Sequence, residues 1–169
     1  MIDYQNTLTN INNKKINFIL APSSIYLSLF KTSNINLCIQ DISLNEKLNL
    51  TGDISLQQLK SLNVKYAIER RKYYKETEYE ILEKIKNALE NDMKVIYCIG
   101  ESLEEMNRRV EYQVLERQIA RIFNKLSREE LKNIIIAYEP SYLIGKESTY
   151  DILKIRSMIL FIKKIIQDY

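Results

Sequence analysis

Short apolar runs alternate along the chain with longer segments in which apolar residues recur every three or four positions. The short runs predict five β-strands, at residues 16–20, 36–39, 64–68, 95–99 and 134–138. Nearly continuous Val and Ile of this kind is typical of parallel strands that are covered on both faces. Alternation of strands with helices indicates βαβ units with right-handed crossovers, so the expected fold class is α/β.

Three of the longer segments predict amphipathic helices, each with one apolar face. The residues on the three faces are Tyr79, Leu82, Ile85 and Leu89, then Leu115, Ile119, Ile122 and Leu126, and finally Ile152, Ile155, Ile159, Ile162 and Ile166. In the last helix residues 158–162 are all apolar, so its apolar surface extends beyond one stripe. Such a helix is expected to pack on two sides, against an open sheet edge or against another subunit.

Composition agrees with a folded protein, since 46% of the residues are apolar and 28% are charged. No linker or repeat divides the sequence, so residues 1–169 are expected to form one domain. The net charge of +3 is small, and basic residues are interleaved with acidic ones, which argues against nucleic-acid binding. No run approaches the ~20 apolar residues of a membrane span. The polar first residues do not resemble a signal peptide, so a cytoplasmic location is expected.

The chain contains no histidine, which excludes every mechanism that needs an imidazole acid, base or metal ligand from this chain alone. Cys38 and Cys98 lie in apolar runs without metal-ligand neighbours, so buried reduced thiols and no metal site are expected. Only three glycines are present, and a glycine-rich phosphate loop is therefore absent. No cofactor is expected.

Four short motifs carry more specific information. They are Thr-Gly-Asp-Ile-Ser at residues 51–55, Glu-Arg-Arg at 69–71, Cys-Ile-Gly-Glu at 98–101 and Ala-Tyr-Glu-Pro at 137–140. In this order and at these separations, the motifs resemble those of the triosephosphate isomerase family. Each motif alone would be weak, but four in register are specific.

The resemblance implies a fold related to the eight-stranded (β/α) barrel, whose active site lies at the carboxyl ends of the strands. The match begins near the family's second strand and ends with its sixth helix, so it implies a partial barrel of about five parallel strands alternating with helices. An open sheet has two edges that need protection. Residues 1–15, with the helix-like spacing of Tyr4, Leu8 and Ile11, could cover one edge, and the last helix could cover the other. A homo-oligomer or a partner chain would account for the edges equally well.

The resemblance also assigns roles to individual residues. It implies that Glu139 is the catalytic base and that Gly145 belongs to the substrate-binding lid. It implies a dimer interface that contains Thr51, Gly52, Asp53 and Arg70. Each assignment has a structural alternative: Glu139 could be an inherited structural carboxylate, and Glu69 could form an ion pair with Arg70 or Arg71. Gln40 and Asp41 stand where the family has a Gln-Asn pair near its active site, or could simply make strand-end hydrogen bonds.

The chain departs from the family where the chemistry is most demanding. Ala67 occupies the position of the family's histidine, while the family's catalytic lysine and most of its phosphate site have no counterpart in the sequence. The implied reaction is the interconversion of dihydroxyacetone phosphate and glyceraldehyde 3-phosphate, and the isolated chain is expected to be inactive or very weak, a pseudoenzyme. The alternatives are a non-catalytic assembly partner and a binding module for an anionic metabolite such as triose phosphate.

Overall fold

The computed structural model describes residues 17–30, 35–44, 51–69, 76–145 and 151–169. Within them, five parallel strands form one sheet in chain order and curl into half of a barrel. The strands are Ile19–Leu20 (β1), Asn36–Ile39 (β2), Val64–Glu69 (β3), Lys94–Ile99 (β4) and Ile134–Tyr138 (β5). The predicted α/β fold, a partial (β/α) barrel, is therefore confirmed.

Helices connect the strands, and a 3-10 helix at Ser24–Phe30 follows β1. The α-helices are Leu56–Ser61 (α1), Glu78–Glu90 (α2), Leu103–Asn107 (α3), Glu111–Phe123 (α4), Arg128–Leu131 (α5) and Ile152–Ile166 (α6). Four of them begin with a capping box, in which a Ser or Thr and the Glu or Gln three residues later satisfy each other's backbone N–H groups. These pairs are Ser55 with Gln58, Thr77 with Glu80, Ser102 with Glu105 and Ser127 with Glu130.

The strand predictions agree closely with the sheet. β2 and β5 have the predicted bounds, and β3 and β4 differ from the prediction by one residue. β1 is shorter than predicted, because only Ile19 and Leu20 pair with β2. Residue 16 lies outside the described part of the chain.

The predicted face of α4 is confirmed, since Leu115, Ile119 and Ile122 are buried. The predicted face of α2 is partly wrong, because Tyr79 is 68% exposed. The buried residues of α2 are Ile81, Lys84, Ile85 and Ala88. The helix is rotated from the predicted orientation because Lys84, although charged, finds partners in the interior.

The last helix is also rotated from its predicted orientation. Met158 and Ile162 are buried where α6 packs against α4, whereas Ile152, placed by the prediction on the packed face, is 78% exposed. Between α6 and β5 lies an apolar groove of about 750 Å³. The helix therefore packs on one side, and the described residues leave a second apolar side uncovered.

The described residues share one hydrophobic core cluster, in which β2, β3 and β4 contribute buried residues while β1 and β5 contribute only partly buried ones. None of the described helices is long and apolar enough to cross a bilayer. The predicted role of residues 1–15 in covering the β1 edge falls on residues outside the described ranges.

The packing of α6 predicts a contrast between two alanine substitutions. We expect Met158→Ala to lower the free energy of unfolding by about 2–5 kcal/mol, because it leaves a cavity at a completely buried position. Leu160→Ala, at a position 57% exposed, is expected to change it by about 0.5 kcal/mol or less. Urea unfolding of both variants is the measurement, and equal effects would contradict this orientation of α6.

Candidate functional site

The carboxyl end of the sheet brings together the residues that follow β4 and β5. Glu139 comes directly after β5, and its N–H donates to the carbonyl of Ile99 at 2.7 Å. Two residues later, the Ser141 N–H donates to the carbonyl of Glu101 at 2.9 Å. The pairing of β4 with β5 thus continues beyond both strands, and it places the half-buried Glu139 beside the end of β4.

Gly100 permits this close approach. A Cβ at position 100 would lie 2.2 Å from the Glu139 carbonyl oxygen and 2.9 Å from the Pro140 nitrogen. Such distances are far inside van der Waals contact, and both atoms belong to the backbone, so they cannot swing away. Glycine is therefore required at position 100 because the Glu139–Pro140 backbone leaves no room for a side chain, and not because of the φ angle of Gly100.

Gln118 holds the Gly100 peptide from the helix side. The Gly100 N–H donates to Gln118 Oε1 at 2.9 Å, and Gln118 Nε2 donates to the Gly100 carbonyl at 3.0 Å. Tyr97 donates its hydroxyl to the Gln118 backbone carbonyl at 3.1 Å. These hydrogen bonds satisfy the buried polar groups at the point where β4 ends. They also fix the backbone against which Glu139 lies.

Glu101 anchors the segment after Glu139. Its side chain is fully buried, and both carboxylate oxygens accept hydrogen bonds of 3.1 Å from the Tyr138 hydroxyl. Tyr142, in the turn after Pro140, donates to Glu101 Oε1 at 3.3 Å. The turn continues to Gly145, which is exposed and has a φ of 75°. The beginning of the predicted lid is thus tied to the end of β4, and residues 146–150 lie outside the described part.

Ala67 is completely buried in β3, between Ile39 of β2 and Val95 of β4. Its methyl group can neither donate a hydrogen bond nor carry charge, so it cannot polarise a substrate carbonyl. That Ala67 occupies the place of the family's histidine stays a prediction.

A buried ionic cluster lies around Lys84 of α2. Its Nζ donates to Asp41 Oδ1 at 2.7 Å and also pairs with Glu76. Burial lowers the pKa of Lys84, but hydrogen bonds to Asp41 and Glu76 together outweigh it and hold the pKa above the usual range. The ammonium is therefore charged and already neutralised by two carboxylates.

Glu69, the last residue of β3, is different. Both of its carboxylate oxygens are buried without a hydrogen-bond partner in the described part of the chain. Burial raises the pKa of Glu69 well above its usual range; the charge of Lys84 opposes this shift, and Asp41 and Glu76 add to it. Arg70 and Arg71 lie outside the described residues, so the predicted ion pair stays a prediction.

The residues predicted for a dimer interface lie on an exposed loop before α1. Thr51, Gly52 and Asp53 are exposed, and Gly52 has a φ of 90° that favours glycine. Asp53 Oδ2 accepts a hydrogen bond of 2.8 Å from the Ser43 hydroxyl of the same chain. The fourth predicted residue, Arg70, lies outside the described part. An interface at this loop therefore stays a prediction.

Other predicted residues have structural roles. Gln40 donates to the Ala21 carbonyl at 2.9 Å, which is a strand-end hydrogen bond of the kind expected. Cys38 is fully buried and Cys98 is half-buried, and neither forms a disulfide. Burial, with a smaller contribution from Cys98, raises the pKa of Cys38 to about 12, which makes this thiol unreactive at neutral pH. The described residues contain no cluster of three or more potential metal ligands.

Three residues of the site were missed by the sequence analysis. Glu101 belongs to a recognised motif but received no role, although its neighbours Tyr138 and Tyr142 are both present in the sequence. Gln118 is a polar residue on the apolar face of α4, and Lys84 is a lysine on the apolar face of α2. A polar residue on a buried face was the available signal, because burial without partners would be costly.

The site offers one half-buried carboxylate that can accept a proton, Glu139. Lys84, the lysine of the ionic cluster, forms ion pairs with Asp41 and Glu76. Among the described residues no imidazole can assist, because the chain has none. The role of Glu139 as a catalytic base therefore stays a prediction.

Comparison with known proteins relates the chain to one family. The family model described as "Triosephosphate isomerase" matches residues 2–169. Proteins named triosephosphate isomerase are similar along most of the chain: the one from Mesomycoplasma hyorhinis is 37% identical over 158 residues, and the one from Mycoplasmopsis pulmonis is 39% identical over 159 residues. A third, from Alkaliphilus oremlandii, is 34% identical over 140 residues.

The coverage of these relatives is unequal. The three matches take in 90%, 85% and 80% of this chain, but only 64%, 63% and 56% of the respective relatives. The chain thus spans less than two thirds of the length of these curated relatives.

The close approach at Gly100 predicts a large effect of one methyl group. We expect Gly100→Ala to lower the free energy of unfolding by about 1–3 kcal/mol or more, because the added Cβ overlaps the Glu139 backbone. The amide NMR signal of Glu139 should shift as the strand ends move apart. Gly52→Ala is the control, since a Cβ there meets no atom within 4 Å and only its positive φ is unfavourable. A stable Gly100→Ala variant with an unmoved Glu139 signal would contradict this account.

The buried Glu69 predicts a pH dependence of stability. Its pKa is higher in the folded chain than in the unfolded chain, so its contribution to stability is fully present below the unfolded pKa and is lost as pH rises through the folded pKa. Glu69→Gln removes this titration. The free energy of unfolding of the variant, relative to the unchanged protein, should rise between about pH 4 and pH 8 by on the order of 1 kcal/mol or more.

Urea unfolding across that pH range measures the difference. Glu104→Gln is the matched control, because its side chain is 82% exposed and the same chemical change there should give a nearly constant difference. A pH-independent difference for Glu69→Gln would show that Glu69 does not titrate in this way.

Proposed function

The chain belongs to the triosephosphate isomerase family, and we propose that its reaction is the family's interconversion of dihydroxyacetone phosphate and glyceraldehyde 3-phosphate, with Glu139 as base. We further propose that the isolated 169-residue chain performs this reaction very weakly or not at all. The two parts rest on different observations. Family membership supports the reaction, and the chemistry of the site supports its weakness.

The proposed weak activity rests on the presence of alanine at position 67. It stands two residues before Glu69, in the position where the family has its histidine, and it is completely buried. Losing a positioned acid or base typically lowers the rate by about 10²–10⁴. Losing a donor to the developing oxyanion costs roughly 10²–10³. The chain contains no histidine elsewhere that could take over this role.

Glu139 is well placed to act as the base. Its backbone is fixed by the Ile99 carbonyl, and the segment that follows it is tied to Glu101 through Tyr142. A carboxylate held beside a loop can be positioned against a substrate carbon without loss of much further entropy. Gly145, at the exposed end of the described turn, is the proposed contact with the substrate phosphate through its backbone N–H.

The proposal is tested by a sensitive isomerase assay on the purified chain. We expect no rate above the protein-free background, and no difference between the unchanged protein and Glu139→Gln. Glu129→Gln is the matched control, because its side chain is 81% exposed and it lies before the start of β5, at the opposite end of the strand from Glu139. A rate above background that only Glu139→Gln abolishes would contradict the proposed inactivity and support Glu139 as base. A rate above background that Glu139→Gln leaves unchanged would contradict both the proposed inactivity and the assignment of Glu139 as base.

A non-catalytic assembly role is the second candidate, and the apolar groove beside β5 favours it. A binding module for triose phosphate would instead give measurable heat when dihydroxyacetone phosphate is titrated into the chain, without turnover. Heat of binding in calorimetry would support the binding module, whereas a molecular mass above that of the single chain would support the assembly role.

A further inference from the structure

A second groove lies on the outer surface of the fold, between α2 and α4. It has a volume of about 470 Å³. Two of its lining residues, Leu82 of α2 and Ala120 of α4, are half-buried and apolar, and they form its floor. Tyr79 of α2 also lines the groove and is 68% exposed. The tyrosine ring that the sequence predicted to be buried is therefore left for a contact with another molecule.

The groove is not opened by a missing neighbour in the sheet. The strands beneath it, β3 and β4, pair directly with each other, and each has a further strand on its other side. α2 and α4 pack on these strands and bury Ile85 and Ile119 in the core. A longer sheet would gain strands only beyond β1 or β5, and those strands would not cover this groove.

Three basic side chains line the α4 side of the groove. Arg117, Arg121 and Lys125 follow one another at intervals of four residues, which places them in a row along α4 and the turn after it. Among the described residues that line the groove, Glu78 is the only carboxylate, so three positive charges and one negative charge give a net charge of +2. An apolar floor beside a row of cations is complementary to a partner that is both apolar and negatively charged.

The present partners of these cations hold them only weakly. Arg121 pairs with Glu78 across the groove, and Arg117 Nη2 lies 3.6 Å from Glu105 Oε1. The side chains of both pairs are at least 30% exposed, and surface ion pairs of this kind contribute little stability. Lys125 forms no ion pair with any residue in the described ranges. All three cations are therefore available to a partner.

The spacing of the cations selects the shape of that partner. Residues four apart on an α-helix are separated by about 6 Å along its axis. A helix laid beside α4 presents carboxylates at the same interval when they recur every four residues. A bilayer is too flat to enter a groove between two helices, and an inorganic anion would make no use of the apolar floor.

We propose that this groove binds an acidic amphipathic helix of a different protein. The carboxylates of that helix pair with Arg117, Arg121 and Lys125. An apolar side chain of the helix packs on Leu82 and Ala120, in the manner of other amphipathic helices that bind in grooves. The inference does not rest on isomerase activity, because it uses none of the residues of the candidate site.

A synthetic peptide tests the proposal. The probe is a helical peptide of about 16 residues with Glu at every fourth position and Leu three residues after each Glu. We expect it to bind the purified chain with a dissociation constant of about 100 µM or tighter in calorimetry. Raising the ionic strength from about 0.1 M to about 1 M should weaken binding at least ~5-fold, because salt screens exposed charges. A scrambled peptide of the same composition is the control.

Charge reversal identifies the residues that bind the probe. Arg117→Glu/Lys125→Glu should weaken binding at least ~10-fold. A peptide with Lys in place of every Glu should then bind this variant and not the unchanged protein. Arg121 is kept so that its pair with Glu78 still joins the two helices. Both changed side chains are exposed, so the variant should fold, and circular dichroism verifies this.

Lys132→Glu is the matched control, because its side chain is 67% exposed and it lies beside β5, outside this groove. It should change the affinity by no more than ~2-fold, since solvent and salt screen distant surface charges. An affinity that Lys132→Glu lowers as much as the double variant would overturn the proposal, because the peptide would then respond to net charge alone. Absence of binding at ~1 mM peptide would also overturn it. So would equal binding of the scrambled peptide.

Amide NMR signals locate the contact without any variant. The signals of Tyr79 and Ala120 should shift when the probe is added, whereas that of Ile135 on β5 should not. Shifts confined to residues outside the groove would contradict the proposed site. Anionic lipid vesicles that bind the chain when the peptide does not, and that the double variant no longer binds, would assign the groove to a membrane surface instead.

Discussion

The contact on which the candidate site depends is the close approach of the β5 end to Gly100. The Glu139 backbone lies so near to Gly100 that no side chain fits between them, and the Glu139 N–H reaches the Ile99 carbonyl. Gln118 clamps the Gly100 peptide from α4, so the position of the Glu139 backbone is set by the packing of the strand ends.

At the neighbouring strand ends, the charges of the described residues are unevenly compensated. Lys84 is shared by Asp41 and Glu76, while the nearby Glu69 is buried without a hydrogen-bond partner in the described part of the chain. Burying a carboxylate without compensation is costly, so Glu69 is driven toward its protonated form. Ala67, two residues earlier on the same strand, adds no polar group. The described strand ends therefore combine a fully compensated lysine, an uncompensated buried carboxylate and an apolar position.

Apolar surface is also exposed beside β5, at the last strand of the sheet. α6 buries Met158 and Ile162 against the body of the fold, but its other side and the outer wall of β5 remain apolar and open. The relatives extend well beyond the length that this chain spans.

By itself, the sequence determined the strands and their order, because Val and Ile runs such as residues 134–138 have few stable alternatives to a buried parallel strand. It also contained the helix starts, since Thr77 with Glu80 and its three counterparts are local capping boxes, although periodicity alone did not reveal them. Glu139 was identified through the motif at residues 137–140, and Ala67 through its place two residues before the separate motif at residues 69–71. Only the tertiary structure decided which face of α2 is buried, because Lys84 is stabilised there by Asp41, 43 residues away. It alone joined Gly100 to Glu139 and Gln118, since close contacts between distant residues depend on how strands and helices pack and leave no periodic trace in the chain.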